Sequence, residues 1–167
     1  MVLIRCTRKI LERLRPSALA GDQQSTTLLG DWYVDFLPVG RHRLVLAVSQ
    51  PSLLSLVIPA RDLKNLDVHL RSSLDILLSS LGVPPDIREG ELHEMKKVAY
   101  ARTASRVVLG CMLDLAFRAR VRVESGQPYN LNELALELST NILSPLGHHR
   151  PRDVALALLS HQKAAVQ

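Results

Sequence analysis

The chain has 167 residues, 47% hydrophobic and 22% charged, the make-up of a globular protein long enough to bury one sizeable core. A net charge of +5 and an isoelectric point near 9.6 point towards nucleic acid, an anionic surface or an acidic protein, but the basic residues are scattered rather than clustered in a run. Aromatic residues are only 4% of the chain, which counts against single-strand nucleic-acid binding by stacking, and no apolar run reaches the roughly eighteen residues of a membrane span.

The opening MVLIRCTRKILERLRPSALAG is rich in arginine with a single acid, Glu12, and has to be weighed against a transit peptide. The preferred reading is a strand over Val2 to Cys6 and then a short amphipathic helix with Thr7 at its N-cap. Ile10, Leu11 and Leu14 share the inner face of that helix, and Arg15-Pro16 ends it. Residues 17–29 are small and polar and form a loop.

From Asp31 the period becomes two. In WYVDFLPV, Trp32, Val34 and Phe36 share one face, and Tyr33, Asp35 and Leu37 the other. Gly40 marks a turn, RHRLVLAV a second strand, SQPS another turn, and LLSLVIP a third strand closed by Pro59. The expectation is an antiparallel meander, which the N-terminal strand can join.

Beyond Pro59 the pattern is helical. Leu63, Leu66, Leu70, Leu74, Leu77 and Leu81 form one stripe between Asp62 and Leu81, stopped by Gly82, Pro84 and Pro85. A second helix runs from Asp86 to Lys96 with Ile87, Leu92 and Met95 inward, and KVAYART is a candidate fifth strand. Ser105 caps the next helix. Asn130 and Glu133 have capping-box spacing before a helix from Leu131 to about Ile142, and Pro151 opens the last one, with Val154, Leu158 and Leu159 inward. The fold class is therefore α+β: a small antiparallel sheet against about five helices, in a single domain over residues 1–167 that is sheet-rich to residue 60.

Three places offer candidate chemistry. In ARTASRVVLGCMLDLAFRARVRVESG, Arg106, Gly110, Asp114, Arg118 and Arg122 fall four residues apart. A mid-helix glycine costs up to about 1 kcal/mol against alanine, so Gly110 marks either a helix crossing or the approach of a ligand between Arg106 and Asp114. The crossing is the simpler reading, with Asp114 and Arg118 as a surface pair. Arg5, Thr7 and Lys9 surround a strand-to-helix junction that could hold an anion. Asp31 opens the strand that carries Trp32, the only tryptophan.

No catalytic motif is recognisable. Cys6 and Cys111 have no metal-ligand spacing and look like small buried hydrophobes in a reducing compartment. His148 and His149 are adjacent and lack a third ligand. No metal or cofactor is implied.

Three segments taken together, IRCTRKILERL, LGDWYVDFLPVGRHRLVLAV and ARTASRVVLGCMLD, resemble the bacterial DUF6933 family, a domain of unknown function. Its pattern opens I-R-C-T-x-K-L, continues with L-G-D-W-Y and an R-x-L-V-L-F-V strand, and closes near K-T-x-N-R-S-V-L-G-S-M-N-D. Arg5, Thr7, Lys9, Gly30, Asp31, Trp32, Tyr33, Thr103, Arg106, Leu109, Gly110, Met112 and Asp114 follow it. Ser105 stands where the pattern has Asn, Val107 and Cys111 where it has Ser, and Leu113 where it has Asn. The resemblance implies that the opening belongs to the domain, and it brings no established activity.

The expected function is a non-enzymatic binding or regulatory module, cytoplasmic, for a protein or nucleic-acid partner. Arg5, Thr7, Lys9, Asp31, Arg106 and Asp114 are its candidate ligand or anion residues. The alternatives are an enzyme acting on a phosphate-bearing substrate, with Asp31 or Asp114 as base, and a homo-oligomeric structural protein with an apolar face left over between Leu131 and Leu159. The enzyme requires these residues to converge in one cleft.

Overall fold

A computed structural model describes residues 1–165. Its strands are β1 (Val2–Cys6), β2 (Trp32–Val39), β3 (His42–Ser49), β4 (Ser55–Pro59) and β5 (Val98–Arg102). Its helices are α1 (Arg8–Leu14), α2 (Leu66–Ser80), α3 (Pro85–Glu94), α4 (Arg106–Glu124), α5 (Leu131–Ser139) and α6 (Pro151–Ala165).

The strands form one sheet in the order β4-β3-β2-β1-β5. The meander from β2 to β4 is antiparallel, as its alternation requires. The sheet as a whole is not. β1 lies parallel to β2, with Ile4 beside Trp32, and parallel to β5, with Val2 beside Val98. The reason is in the connections. Antiparallel neighbours can be joined by tight turns, whereas parallel ones need a crossover. Here α1 and the following loop carry the chain from β1 to β2, and α2 and α3 carry it from β4 to β5.

Both faces of the sheet are covered, which explains why VLIRC is apolar at nearly every position. Val2, Ile4, Cys6, Trp32 and Val34 belong to one core with residues of α1, α2 and α6. Tyr33, Leu37, Leu46 and Val48 belong to a second core with α4 and Leu134 and Leu138 of α5. Helix α5 packs against β4, an edge strand, and shields it from pairing with another chain.

Local signals place most helix ends. Ser105 Oγ accepts the Val108 N–H, and Asn130 and Glu133 complete a capping box. Arg15 closes α1 in a left-handed conformation, φ 50°. Three boundaries differ from expectation, one of them the end of α3, which stops at Glu94 rather than Lys96. Ala60–Asn65 is a 3-10 turn, with α-helix only from Leu66, and α5 stops at Ser139 rather than Ile142. Thr7 occupies the N-cap position but does not cap: its hydroxyl donates to Asp35 Oδ1 at 2.6 Å.

Gly110 is not a helix crossing. A Cβ built there meets nothing within 4 Å, so no neighbouring element uses the missing side chain. Between Leu131 and Leu159 the exposed large apolar side chain is Ile142, while Leu134, Leu138, Leu143 and Leu159 are buried. The apolar surface expected there lies on α4 instead.

Candidate functional site

The residues nominated from the sequence fall into separate environments. Arg5 and Asp31 meet. The Arg5 Nε–H donates to Asp31 Oδ2 at 2.6 Å, with the two side chains 21% and 14% exposed. Asp31 is delivered by Gly30, which adopts φ +65° and would bring a Cβ to 3.0 Å from the Pro51 ring. Its other oxygen, Oδ1, accepts the Ser25 hydroxyl at 2.7 Å, and Ser25 Oγ accepts the Leu3 N–H. Arg5 Nη1 donates to the Arg102 carbonyl at 3.2 Å, and its guanidinium carbon lies 6.0 Å from the Tyr33 ring centroid. The Tyr33 hydroxyl accepts the Ser105 N–H at 3.1 Å. One network thus ties β1, the loop before β2, the end of β5 and the start of α4.

In this network the polar atoms satisfy one another, and both Asp31 carboxylate oxygens have partners. Thr7 is engaged with Asp35, whose Oδ1 also accepts the Phe36 N–H. Lys9 is exposed on α1, in the layer opposite α4. Arg106 is exposed at the start of α4 and Asp114 pairs with Arg118 at 3.0 Å two turns later. Arg106 and Asp114 therefore do not join the Arg5–Asp31 network.

A model of the DUF6933 family matches residues 3–154. The chain belongs to this family. DUF6933 is described only as a domain of unknown function, and neither a curated protein nor a solved structure matches the chain. The DUF6933 signature maps partly onto the bracing network, through Arg5, Asp31 and Tyr33. Two positions where this chain departs from the signature, Val107 and Leu113, are exposed, at 60% and 76%.

One buried carboxylate escaped the sequence reading. Glu91 is fully buried, and its oxygens accept the N–H groups of Leu28 and Leu29 at 2.8 and 2.9 Å. Burial pushes its pKa up, and the two backbone hydrogen bonds oppose that rise. The available signal was spacing, since Glu91 lies four residues from both Ile87 and Met95 on the inward face of α3. The cysteines sit in different cores, one on each side of the sheet. Burial raises the Cys6 thiol to about 12, and burial followed by the charge of Asp114 raises Cys111, the opposite of what an activated thiolate needs. Among the described residues no group of three His, Cys, Asp or Glu is placed to hold a metal ion.

A separate concavity lies elsewhere. A groove of about 870 Å³ opens at the end of the sheet where β2 and β4 finish and β3 begins. Arg13, Arg41, His42, Arg43 and Arg61 stand around it, over an apolar floor that includes Phe36 and Leu131, and no Asp or Glu is among the described residues that line it. The sequence reading missed it because its cations come from α1, the β2–β3 turn and the turn after β4, and no charge run marks them.

Proposed function

We propose that this DUF6933 domain is a non-enzymatic binding module that takes an acidic, partly apolar segment of a protein partner in the arginine groove. The observation that carries this reading is three guanidinium groups, those of Arg13, Arg41 and Arg43, around one apolar floor with no carboxylate among the described lining residues. Arginine suits carboxylate recognition because its planar fork can donate two parallel hydrogen bonds. The apolar floor adds burial that a purely electrostatic patch lacks.

A protein partner fits better than single-stranded nucleic acid. Of the groove's two aromatic residues, Tyr129 already lies under the Arg122 guanidinium, 5.9 Å from its ring centroid, which leaves Phe36 for stacking. The enzyme reading loses support because Asp31 is committed to Arg5 and Ser25 and Arg106 stands apart from it. In the proposed reading Arg5, Thr7 and Asp31 serve the fold that presents the groove. Two thiols buried in separate cores support a reducing, cytoplasmic setting, and no helix among the described residues is long and apolar enough to cross a membrane.

The test is fluorescence anisotropy with a labelled peptide alternating glutamate and leucine, and with a single-stranded oligonucleotide of similar charge. The peptide should bind, weaken about tenfold in going from low to roughly 0.3 M salt, and weaken at least as much with Arg41→Glu and Arg43→Glu combined. Tighter binding of the oligonucleotide would transfer the groove to nucleic acid. Binding of neither, or binding indifferent to both charge reversals, would end the proposal.

A further inference from the structure

Helix α4 carries a feature that the groove does not use. Val107, Leu113, Phe117 and Val121 are 60%, 76%, 56% and 53% exposed. They are half of the large apolar side chains exposed anywhere among the described residues. At 3.6 residues per turn, Arg106, Gly110, Leu113, Phe117, Val121 and Glu124 lie along one strip of the helix surface. The inner side of the helix, through Val108, Met112, Leu115 and Ala119, is buried against the sheet. The strip therefore faces away from the molecule, and the space over Gly110 is open.

The charges at the two ends of this strip are placed against their own helix. Arg106 is the first residue of α4, at the positive end of its dipole, and Glu124 is the last, at the negative end. Each position is unfavourable for an isolated helix, where acids belong at the N-terminus and bases at the C-terminus. Neither side chain has an ion-pair partner among the described residues. Their separation of eighteen positions is five full turns, so both point along the same meridian, about 27 Å apart.

We infer that the exposed face of α4 is the contact surface for a second copy of this chain, with the two α4 helices antiparallel about a two-fold axis that lies between them at the level of Leu115 along the helix, between Leu113 and Phe117. A two-fold contact is isologous, so residue i faces j and j faces i. Centred there, Arg106 of one copy meets Glu124 of the other at both ends, and Leu113 meets Phe117 twice near the axis. Gly110 faces Arg120 and leaves room for that side chain, which lies over its own Phe117 ring at 5.9 Å. The dipoles agree with this register. Each Arg106 comes to the negative end of the partner helix and each Glu124 to the positive end, reversing the sign of both unfavourable placements. None of these residues lines the arginine groove, so the inference stands apart from the proposed function.

The test is sedimentation equilibrium of the full chain over roughly micromolar to 100 micromolar concentrations, with light scattering as a check. The wild type should approach twice the chain's 18.6 kDa. Leu113→Asn with Phe117→Ser should give a monomer without loss of fold, because both side chains are exposed already. Arg106→Glu alone and Glu124→Arg alone should each weaken dimerisation by about tenfold while leaving the thermal midpoint of the monomer unchanged or raised, since each favours the helix's own dipole. The two together should restore dimerisation to within about threefold of wild type, a rescue that only the antiparallel register supplies. A wild type that stays monomeric would give the face to some other partner and overturn the inference. A dimer insensitive to the apolar double variant, or a charge swap without rescue, would overturn it as well.

Discussion

If the Arg5–Asp31 pair is a brace, removing one carboxylate should loosen the fold. In Asp31→Ala the Arg5 guanidinium loses its 2.6 Å partner and keeps only the Arg102 carbonyl at 3.2 Å, while the Ser25 hydroxyl loses its acceptor at 2.7 Å. Breaking a fully buried ion pair from one side costs about 3–5 kcal/mol. Here 21% and 14% of the two side chains remain exposed, so water repays part of the loss, and about 2–3 kcal/mol is expected. In urea, with a slope of about 2 kcal/mol per molar, the midpoint should fall by roughly 1–1.5 M. For a chain of this size the melting temperature should fall by about 5–10 °C. Arg5→Ala should cost a similar amount, and the double variant little more than either, giving a coupling of about 2 kcal/mol. A neutral or stabilising Asp31→Ala would refute the reasoning, because a residue held at the expense of stability is the mark of a ligand site rather than a brace.

Glu91 makes stability depend on pH. Its folded pKa is raised above the ordinary 4.5 by burial, so its contribution is fully present below that value and is lost as pH rises through the raised one. Urea midpoints measured over this window should fall more steeply in the wild type than in Glu91→Gln, although the variant starts lower by about 1–2 kcal/mol for the acceptor it no longer offers the Leu28 and Leu29 amides. Parallel curves would show that Glu91 does not titrate there. Gly110→Ala should stabilise the chain in dilute solution by about 0.5–1 kcal/mol, since the site is helical and open, and calorimetry should show a melting temperature higher by about 2–3 °C. A decrease would mean that something packs on Gly110 within the monomer.

Much of the local structure was legible because it depends on neighbours in the chain. The alternation from Trp32 to Pro59, the leucine stripe ending at Gly82, the Ser105 cap and the Asn130–Glu133 box each state a conformation within a few residues. Helix boundaries were less legible where no cap residue fixes them, as at Ala60–Asn65 and after Ser139. Thr7 shows how a local rule yields to a stronger partner: in place of the helix amides, its hydroxyl takes the Asp35 carboxylate, a charge-assisted acceptor. Glu91 shows the reverse failure, since an acid on an apolar face reads as an exception until the loop amides that it satisfies are in place.

The sequence by itself determined the class of the fold, the family and the elements, because periodicity, caps and turn residues act through bonds and short contacts. Only the tertiary structure decided that β1 lies inside the sheet and parallel to its neighbours, since strand order depends on which face the connecting helices cover. The same holds for function. Arg5 and Asp31 looked like free chemistry until they were seen to satisfy each other, while the groove arginines and the α4 face carry no signature, because their meaning lies in what stands beside them in space.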